Sequence, residues 1–434
     1  MTRDRRPGAH LMLVLTATMA VGPLLTHSLS AMSPLVIADL ELTETQFGLL
    51  ATTTFFVAAL TAVRTGRWAD RLSARTLLVV MFGGAALAML LTAAAPGYAV
   101  LLVAMVLSGL GQVMANPATN RLIRLHVPAA RRASWLGIKQ AGVQASQLVA
   151  GLTFPALGLL LGWRTAVLVA AGAVLLLLVH GWWTVPDNHP GAPAGLPSPT
   201  ASRSWTTLPA RSWAALRSRT APRSRRAQTP SSRAARAAAR PPMPGVVRAY
   251  AAAAALTGLG AQAANVYLPL YAHRELGLDV VTAGTTVSVS ALVGIASRVL
   301  WARVMDRPRA DGFVLLAGMA LGAAASAVLL ILAPLHPGLA WAVWPAAVLH
   351  GGAALAVSVV VMSAAMRAVP ADRVGASTGV VTMGLYAGFC AGPLVLGGLL
   401  QLTGSFAVGW AVVLVCYLAC AGLAVLVRSR ARRS

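Results

Sequence analysis

Residues 66–75, GRWADRLSAR, lie between two long apolar segments and contain one carboxylate, Asp70, among Arg67, Arg71 and Arg75. Asp70 is one of only 11 acidic residues in the chain. Charged groups are costly inside the hydrocarbon of a membrane, so a short charged connection must lie in water or be held by partner groups. We therefore predict that this stretch is a charged hairpin loop joining two membrane helices.

The composition of the whole chain is that of a membrane protein. Of its 434 residues 57% are hydrophobic and 11% charged, whereas soluble domains carry roughly 25% charged residues. The three cysteines lie inside apolar runs without disulfide or metal-ligand spacing, and we expect them to be packing thiols. The sequence contains no metal-ligand cluster, phosphate-binding loop or nucleophile motif. We therefore predict a protein that is not an enzyme and holds no cofactor or metal.

Apolar stretches of about 20 residues are needed to cross a membrane, and the sequence offers twelve. The first, residues 11–32, exceeds the core of a signal peptide and is read as a retained helix. A Pro-, Ser- and Arg-rich stretch divides the chain into residues 1–185, a disordered linker 186–246 and residues 247–434. The predicted segments are 11–32, 45–66, 77–95, 98–120, 134–160, 163–183, 247–271, 280–300, 313–333, 338–365, 374–401 and 405–427.

The placement of arginine predicts the orientation of these segments. Alternate connections and both termini are rich in arginine, whereas residues 34–44 carry three acids and no base. By the positive-inside rule, both termini lie in the cytoplasm of a cell membrane. Eleven arginines lie from Arg203 to Arg248, ten of them in the linker and the last just after it, and the linker is expected to be a cytoplasmic tether attracted to anionic lipids. Its aromatic residues are too few to favour nucleic acid.

The charged stretch has a second, degenerate copy after the eighth segment, WARVMDRPR, in which Asp306 and Arg307 correspond to Asp70 and Arg71. Gly66, Asp70, Arg71 and Arg75 resemble the loop signature of the major facilitator superfamily, with departures at Ser73 and Ala74. The resemblance implies an all-α integral membrane protein of twelve transmembrane helices in two pseudo-symmetric six-helix bundles. It also implies secondary transport by alternating access, a small-molecule substrate bound near the midplane, and a cytoplasmic charged latch that includes Asp70.

Lys139 is the only lysine in the chain and opens the fifth segment. Gln140, Gln144 and Gln147 follow it at helical spacing and share one face, which we predict to line the substrate site. Lys139 would then face the cavity and attract an anion. The alternative is a lysine that snorkels to the membrane interface.

None of the acids falls in the middle of a predicted segment. If the protein is coupled to protons, a histidine or a group at the end of a segment must carry them. His350 is a candidate, with helix packing as its alternative role. Arg64 and Arg298 occupy equivalent places in the two halves and resemble the paired arginines of anion-handling superfamily members, or else anchor the helices. The further candidates on the helices that line the cavity in this family are His27, Thr26, Gln112, Asn116, Gln262, Asn265 and Tyr267.

Two further patterns bear on the class of solute. The eleventh segment places Gly379, Gly388, Gly392, Pro393, Gly397 and Gly398 in a pattern that resembles the glycine-proline motif of antiporters, which belongs in the fifth helix. The GIKQAG segment and Trp163-Arg164 are similar to bacterial cyanate-transporter-like and organic-anion carriers. We expect a small anionic organic solute. The alternatives are efflux of a hydrophobic drug or secondary metabolite, and a membrane sensor that does not transport.

Overall fold

The computed structural model describes residues 8–128, 131–185, 244–307, 310–370 and 373–431, and every regular element in these ranges is helical. The predicted linker lies outside the described residues up to Met243, so its disorder stays a prediction. The helices before and after it belong to one compact unit.

We number the membrane-crossing helices α1–α12. Three of them are composite: α1 continues after Met32 as Ser33–Asp39, α3 contains a π-helical turn at Val79–Gly83, and α10 contains a 3₁₀ turn at Ala354–Ala356. The bounds are α1 Ala9–Ala31, α2 Glu44–Arg71, α3 Ala74–Leu78 with Gly84–Ala93, α4 Tyr98–His126, α5 Arg132–Leu161, α6 Trp163–Thr184, α7 Gly245–Arg274, α8 Val280–Met305, α9 Gly312–Leu332, α10 Val343–Gly352 with Val357–Arg367, α11 Val374–Thr403 and α12 Phe406–Ala431.

Eleven helices within the described ranges are long and apolar enough to cross a membrane. The remaining one, α7, has 30 residues, which is also sufficient, but it carries polar residues such as Gln262 and Asn265. Its segment from Gly260 to Ala272 is buried throughout. A helix that is surrounded by protein needs less apolar surface than one that faces lipid.

The packing of the helices repeats after six positions. Helix α1 packs on α5, α2 on α4 and α3 on α6, and the same pairs recur as α7 on α11, α8 on α10 and α9 on α12. Between the halves, α2 packs on α11 and α8 packs on α5, which are again related by a shift of six. This repetition confirms twelve helices in two pseudo-symmetric halves.

The predicted charged hairpin loop is wrong in its conformation. Helix α2 continues to Arg71, and only Leu72 and Ser73 connect it to α3. No residue of the stretch breaks the helix, and backbone carbonyls at its C-terminal end accept hydrogen bonds from a neighbouring helix. The guanidinium of Arg121 on α4 donates to the carbonyls of Ala69 and Leu72 at 2.8 and 2.6 Å. The side chain of Asp70 and the surroundings of Gly66 lie outside the described part, so the latch role of Asp70 stays a prediction.

The two halves meet tightly at the end of the bundle where α2 begins and α7 ends, which we call the closed end. Arg274 on α7 forms an ion pair with Glu44 on α2 at 2.7 Å. The hydroxyl of Tyr267 donates to the carbonyl of Glu44 at 2.6 Å. The hydroxyl of Ser30 on α1 donates to the carbonyls of Asn265 and Val266 at 2.7 and 2.8 Å. These bonds hold the halves together on this side of the bundle.

Candidate functional site

A layer of polar side chains is buried in the middle of the bundle, where α1, α4, α5, α7 and α10 face one another. Helical spacing puts the polar positions of α5 on one face, as the sequence predicts, and a turn of α7 contributes two amides. Each of the following is exposed by 8% or less: Thr26, His27, Gln144, Ser146, Gln147, Gln262, Asn265 and His350. We call this set the polar layer.

Asn265 connects the two halves within the polar layer. Its side-chain oxygen accepts hydrogen bonds from Gln147 Nε2 at 3.1 Å and from His350 Nε2 at 3.2 Å. Its amide nitrogen donates to Gln262 Oε1 at 3.4 Å. Helix α5 of the first half is therefore tied to α7 and α10 of the second through a single side chain.

His27 on α1 contacts α5 through Ser146. The His27 Nδ1 to Ser146 Oγ distance is 2.9 Å, and the Ser146 hydroxyl also donates to the carbonyl of Val143 at 2.8 Å. A hydroxyl has one proton. With that proton directed at the carbonyl of Val143, the serine oxygen accepts from His27, and the ring proton lies on Nδ1.

Several buried polar atoms in and beside the polar layer have no hydrogen-bond partner among the residues that the structure describes. An unpaired buried polar atom costs about 1–3 kcal/mol, so a cluster of them calls for an explanation. The neighbouring cavity, beside Thr26 and Ser30, has a volume of about 10 Å³, which suffices for about one water molecule. The atoms concerned are Thr26 Oγ1, Gln112 Oε1, Gln144 Oε1, Gln147 Oε1 and Gln262 Nε2.

Lys139 lies between α4 and α5 and is only 1% exposed. Its ammonium donates to Asn120 Oδ1 at 2.6 Å, Thr119 Oγ1 at 2.7 Å and Asn116 Oδ1 at 3.3 Å. An ammonium has three donors, and all three are engaged. Asn116 and Asn120 are exposed, so Lys139 is covered by side chains that themselves reach the surface. Whether Lys139 serves a substrate cavity or the membrane interface stays a prediction.

The other predicted site residues are distributed unevenly. Tyr267 belongs to the closed end rather than to the polar layer. Gln140 is half-buried. Arg64 is exposed, while Arg298 is half-buried with a buried, unpartnered Nε atom. Of the charged stretch and its copy, Arg71, Asp306 and Arg307 are exposed, and the guanidinium of Arg75 lies 5.2 Å from the ring centre of Trp182.

The sequence reasoning missed four residues of this region: Ser146, Thr119, Asn120 and Glu44. For two of them a signal was available. Asn116, Thr119 and Asn120 are spaced by three and four residues and therefore share a helix face, and Lys139 binds that face. Ser146 contacts the imidazole of His27, and Glu44 contacts Arg274 and Tyr267 of the other half, partners that no spacing reveals.

The Trp163-Arg164 pair has a structural role at the closed end. The indole of Trp163 donates to Asp39 Oδ2 at 3.0 Å, and Arg164 forms an ion pair with the same oxygen. The hydrogen bond from Trp163, together with Arg164, holds the pKa of Asp39 below its ordinary value. The pair therefore joins the start of α6 to the extension of α1.

The glycines of α11 serve packing. A Cβ added at Gly384, Gly388 or Gly392 would overlap the carbonyl oxygens of Ala251, Ala255 or Leu259 on α7. Small residues let membrane helices approach closely. The close contact of α7 and α11 therefore accounts for much of the glycine pattern.

Comparison with solved structures shows the same fold. A bacterial homologue of the human lysosomal transporter Spinster, in an inward-facing and occupied conformation, is 17% identical with a TM-score of 0.69, covering 98% of this chain and 97% of that one. The nucleoside transporter NupG is 14% identical with a TM-score of 0.71, covering 96% and 98%. A search of curated protein sequences finds no match.

The family comparison covers nearly the whole chain. The sequence model of the Major Facilitator Superfamily matches residues 11–393, which span both halves and every residue of the polar layer. This chain belongs to the major facilitator superfamily.

Proposed function

We propose that the protein transports a small polar organic solute by alternating access and binds it at the polar layer. The setting is a multi-pass protein of the cell membrane with both termini in the cytoplasm. The Spinster homologue and NupG are transporters of the same fold. These two neighbours support a transport function, but the class of solute must be inferred from the residues of this chain.

The observation that supports the site is the set of unpaired atoms in and beside the polar layer. Five buried oxygen and nitrogen atoms, contributed by α1, α4, α5 and α7, have no hydrogen-bond partner. Each costs about 1–3 kcal/mol when left unpaired. A solute that supplied the missing partners would recover this energy. Both halves contribute atoms, so binding would also respond to their relative movement.

The predicted anionic character of the solute depends on Lys139, Arg64 and Arg298. The donors of Lys139 are all engaged by Asn116, Thr119 and Asn120. An anion would therefore have to displace one of these oxygens. Proton coupling, if it occurs, would fall to His27 or His350, which are the titratable groups of the polar layer.

Transport into proteoliposomes tests the proposal. Purified protein would be reconstituted and assayed for uptake or counterflow of a broad set of labelled polar solutes. We expect uptake of at least one solute, and we expect Gln147→Leu to reduce it about 5- to 150-fold, since one lost polar contact is worth about 1–3 kcal/mol.

The matched control is Thr153→Val on the same helix. Thr153 is exposed and bonds only to the carbonyl of Val149, so its loss should leave uptake unchanged. A protein that moves no solute in this assay would refute the proposal and favour the sensor. Equal effects of the two variants would mean that the polar layer is not the solute-binding site.

A further inference from the structure

We propose that the transported solute is uncharged and that it presents N–H or O–H donors to α1 and α5. The inference rests on the proposed function, because it assumes that the solute binds at the polar layer. It follows from the polarity of the atoms that the protein leaves free there.

His27 contributes an acceptor. We assign its proton to Nδ1, the tautomer in which the Ser146 hydroxyl donates to the carbonyl of Val143 at 2.8 Å and accepts from His27 at 2.9 Å. In the neutral ring the other nitrogen, Nε2, then carries a lone pair. Among the described residues Nε2 has no hydrogen-bond partner. The free position of His27 therefore accepts hydrogen bonds.

The amides of α5 add further acceptors. Gln147 donates its amide nitrogen to Asn265 at 3.1 Å, so its unpaired end is the carbonyl oxygen. The Asn265 oxygen accepts from both Gln147 and His350, which uses its two lone pairs. Gln144 Oε1 is also buried and unpaired. The first half of the protein thus offers lone pairs.

The second half offers a donor. Gln262 accepts from Asn265 through Oε1, which leaves its buried Nε2 unpaired. A solute that bridges the halves would place donors on the side of His27 and Gln147 and an acceptor on the side of Gln262. Primary amides and ring systems with adjacent N–H and C=O groups have this arrangement.

The same arrangement disfavours ions. An anion without hydrogen would face the lone pairs of His27, Gln144 and Gln147. An ammonium would suit these acceptors, but the acids of the described residues all lie at helix ends or in connections. A buried charge without a counter-charge is costly. The polar layer therefore matches an uncharged solute.

Matched triplets of probes test the inference. Each triplet consists of a primary carboxamide, its N,N-dimethyl derivative and its carboxylate, on a pyridine, benzene or short alkyl skeleton. Binding is measured as thermal stabilisation of the purified full-length chain. We expect the carboxamide of at least one triplet to bind about tenfold or more tightly than both its partners, because methylation removes the donors and the carboxylate adds charge.

Variants connect the preference to His27. His27→Phe removes the acceptor and should reduce the preference for the carboxamide over its dimethyl derivative at least about threefold. Should that variant not fold, Ser146→Ala frees the ring proton to move to Nε2 and should reduce the same ratio. His336→Phe, at an exposed loop histidine, is the control and should leave the ratio unchanged.

The outcomes separate this inference from the proposed function. Carboxylates that bind more tightly than their amides, or a preference that His27→Phe leaves intact, overturn the inference. If no triplet member binds while proteoliposomes still transport other solutes, the inference also fails and the proposed function stands. If transport is absent as well, both fail.

Discussion

Replacing Gly397 by alanine should open the closed end. Gly397 lies on α11 where it meets the first half. A Cβ added there would overlap the hydroxyl of Tyr267 and lie 2.7 Å from the carbonyl oxygen of Glu44. Overpacking of this kind costs about 1–3 kcal/mol. Glu44 belongs to the first half, whereas Tyr267 lies in the same half as Gly397, and its hydroxyl is held at this position by the Glu44 carbonyl. Separation of the halves removes Glu44 and releases the hydroxyl, so the part of the penalty relieved in this way falls on the closed conformation and should shift the conformational equilibrium by up to about 150-fold.

The neighbouring residue supplies a matched control. A Cβ added at Gly398 meets nothing within 4 Å. Both variants gain about the same helix propensity, so their difference reports the contacts of residue 397 with Tyr267 and Glu44. Spin labels at Ala38 and Glu275, both exposed and on opposite halves at the closed end, would report the separation by pulsed electron paramagnetic resonance.

We expect a longer-distance population to grow in Gly397→Ala and to stay unchanged in Gly398→Ala. Identical distance distributions in the two variants would refute the reasoning. They would mean that Tyr267 and Glu44 give way without separating the halves, and that the contacts at this end do not set the conformational equilibrium.

Two further predictions concern the same end of the bundle. Tyr267→Phe removes the 2.6 Å hydrogen bond to the Glu44 carbonyl and should weaken the closed state by about 1 kcal/mol. In combination with Gly397→Ala it also removes the hydroxyl that the added Cβ overlaps, so part of the effect of Gly397→Ala in the spin-label measurement should disappear. Asp39 has a pKa below the ordinary value of 3.8, so its ion pair should stabilise the fold fully above that pH and progressively less as the pH falls through the folded-state pKa. Thermal unfolding in a pH series should show this loss, and Asp39→Asn should reduce it, leaving the part contributed by other carboxylates of lowered pKa such as Asp311; an unchanged pH dependence would argue against the assignment.

The sequence predicts the architecture well because hydrophobic length and arginine placement are properties of single segments. The main error, at residues 66–75, has a local cause. Whether α2 stops at Gly66 or continues to Arg71 depends on Arg121, which is 50 residues further along the chain than Arg71 and caps the carbonyls of Ala69 and Leu72. No pattern within the stretch contains that information.

The candidate site was predicted less completely for a similar reason. Helical spacing correctly groups Gln144 and Gln147, and both are buried in the polar layer. Tyr267 satisfies the same helical criterion on α7, yet its hydroxyl lies at the closed end. Whether such a side chain lies in the polar layer or at the closed end depends on the residues it contacts on other helices, and a single sequence does not show those contacts directly.

The role of Lys139 can be decided by comparing the loss of the charge with the loss of one partner. Asn120→Leu removes the 2.6 Å acceptor and leaves a buried ammonium with two partners. We expect the free energy of unfolding to fall by about 1–3 kcal/mol. Lys139→Met removes the charge together with its desolvation cost, and such replacements are often close to neutral. The three side-chain oxygens that lose the ammonium keep other contacts. Asn116 and Asn120 are exposed to solvent, and the Thr119 hydroxyl still donates to the Ala115 carbonyl at 2.6 Å.

Stability and transport together then separate the two roles. If Lys139 only joins α4 to α5, Lys139→Met should cost less stability than Asn120→Leu and keep the uptake of neutral and anionic solutes in the same ratio. If it attracts the solute, Lys139→Met should lose the uptake of anions selectively at nearly unchanged stability. A Lys139→Met variant that is less stable than Asn120→Leu would contradict this energetic reasoning, because it would mean that the buried charge contributes more than its desolvation costs. The engaged donors favour the first outcome, since an anion would have to compete with three oxygens already in place.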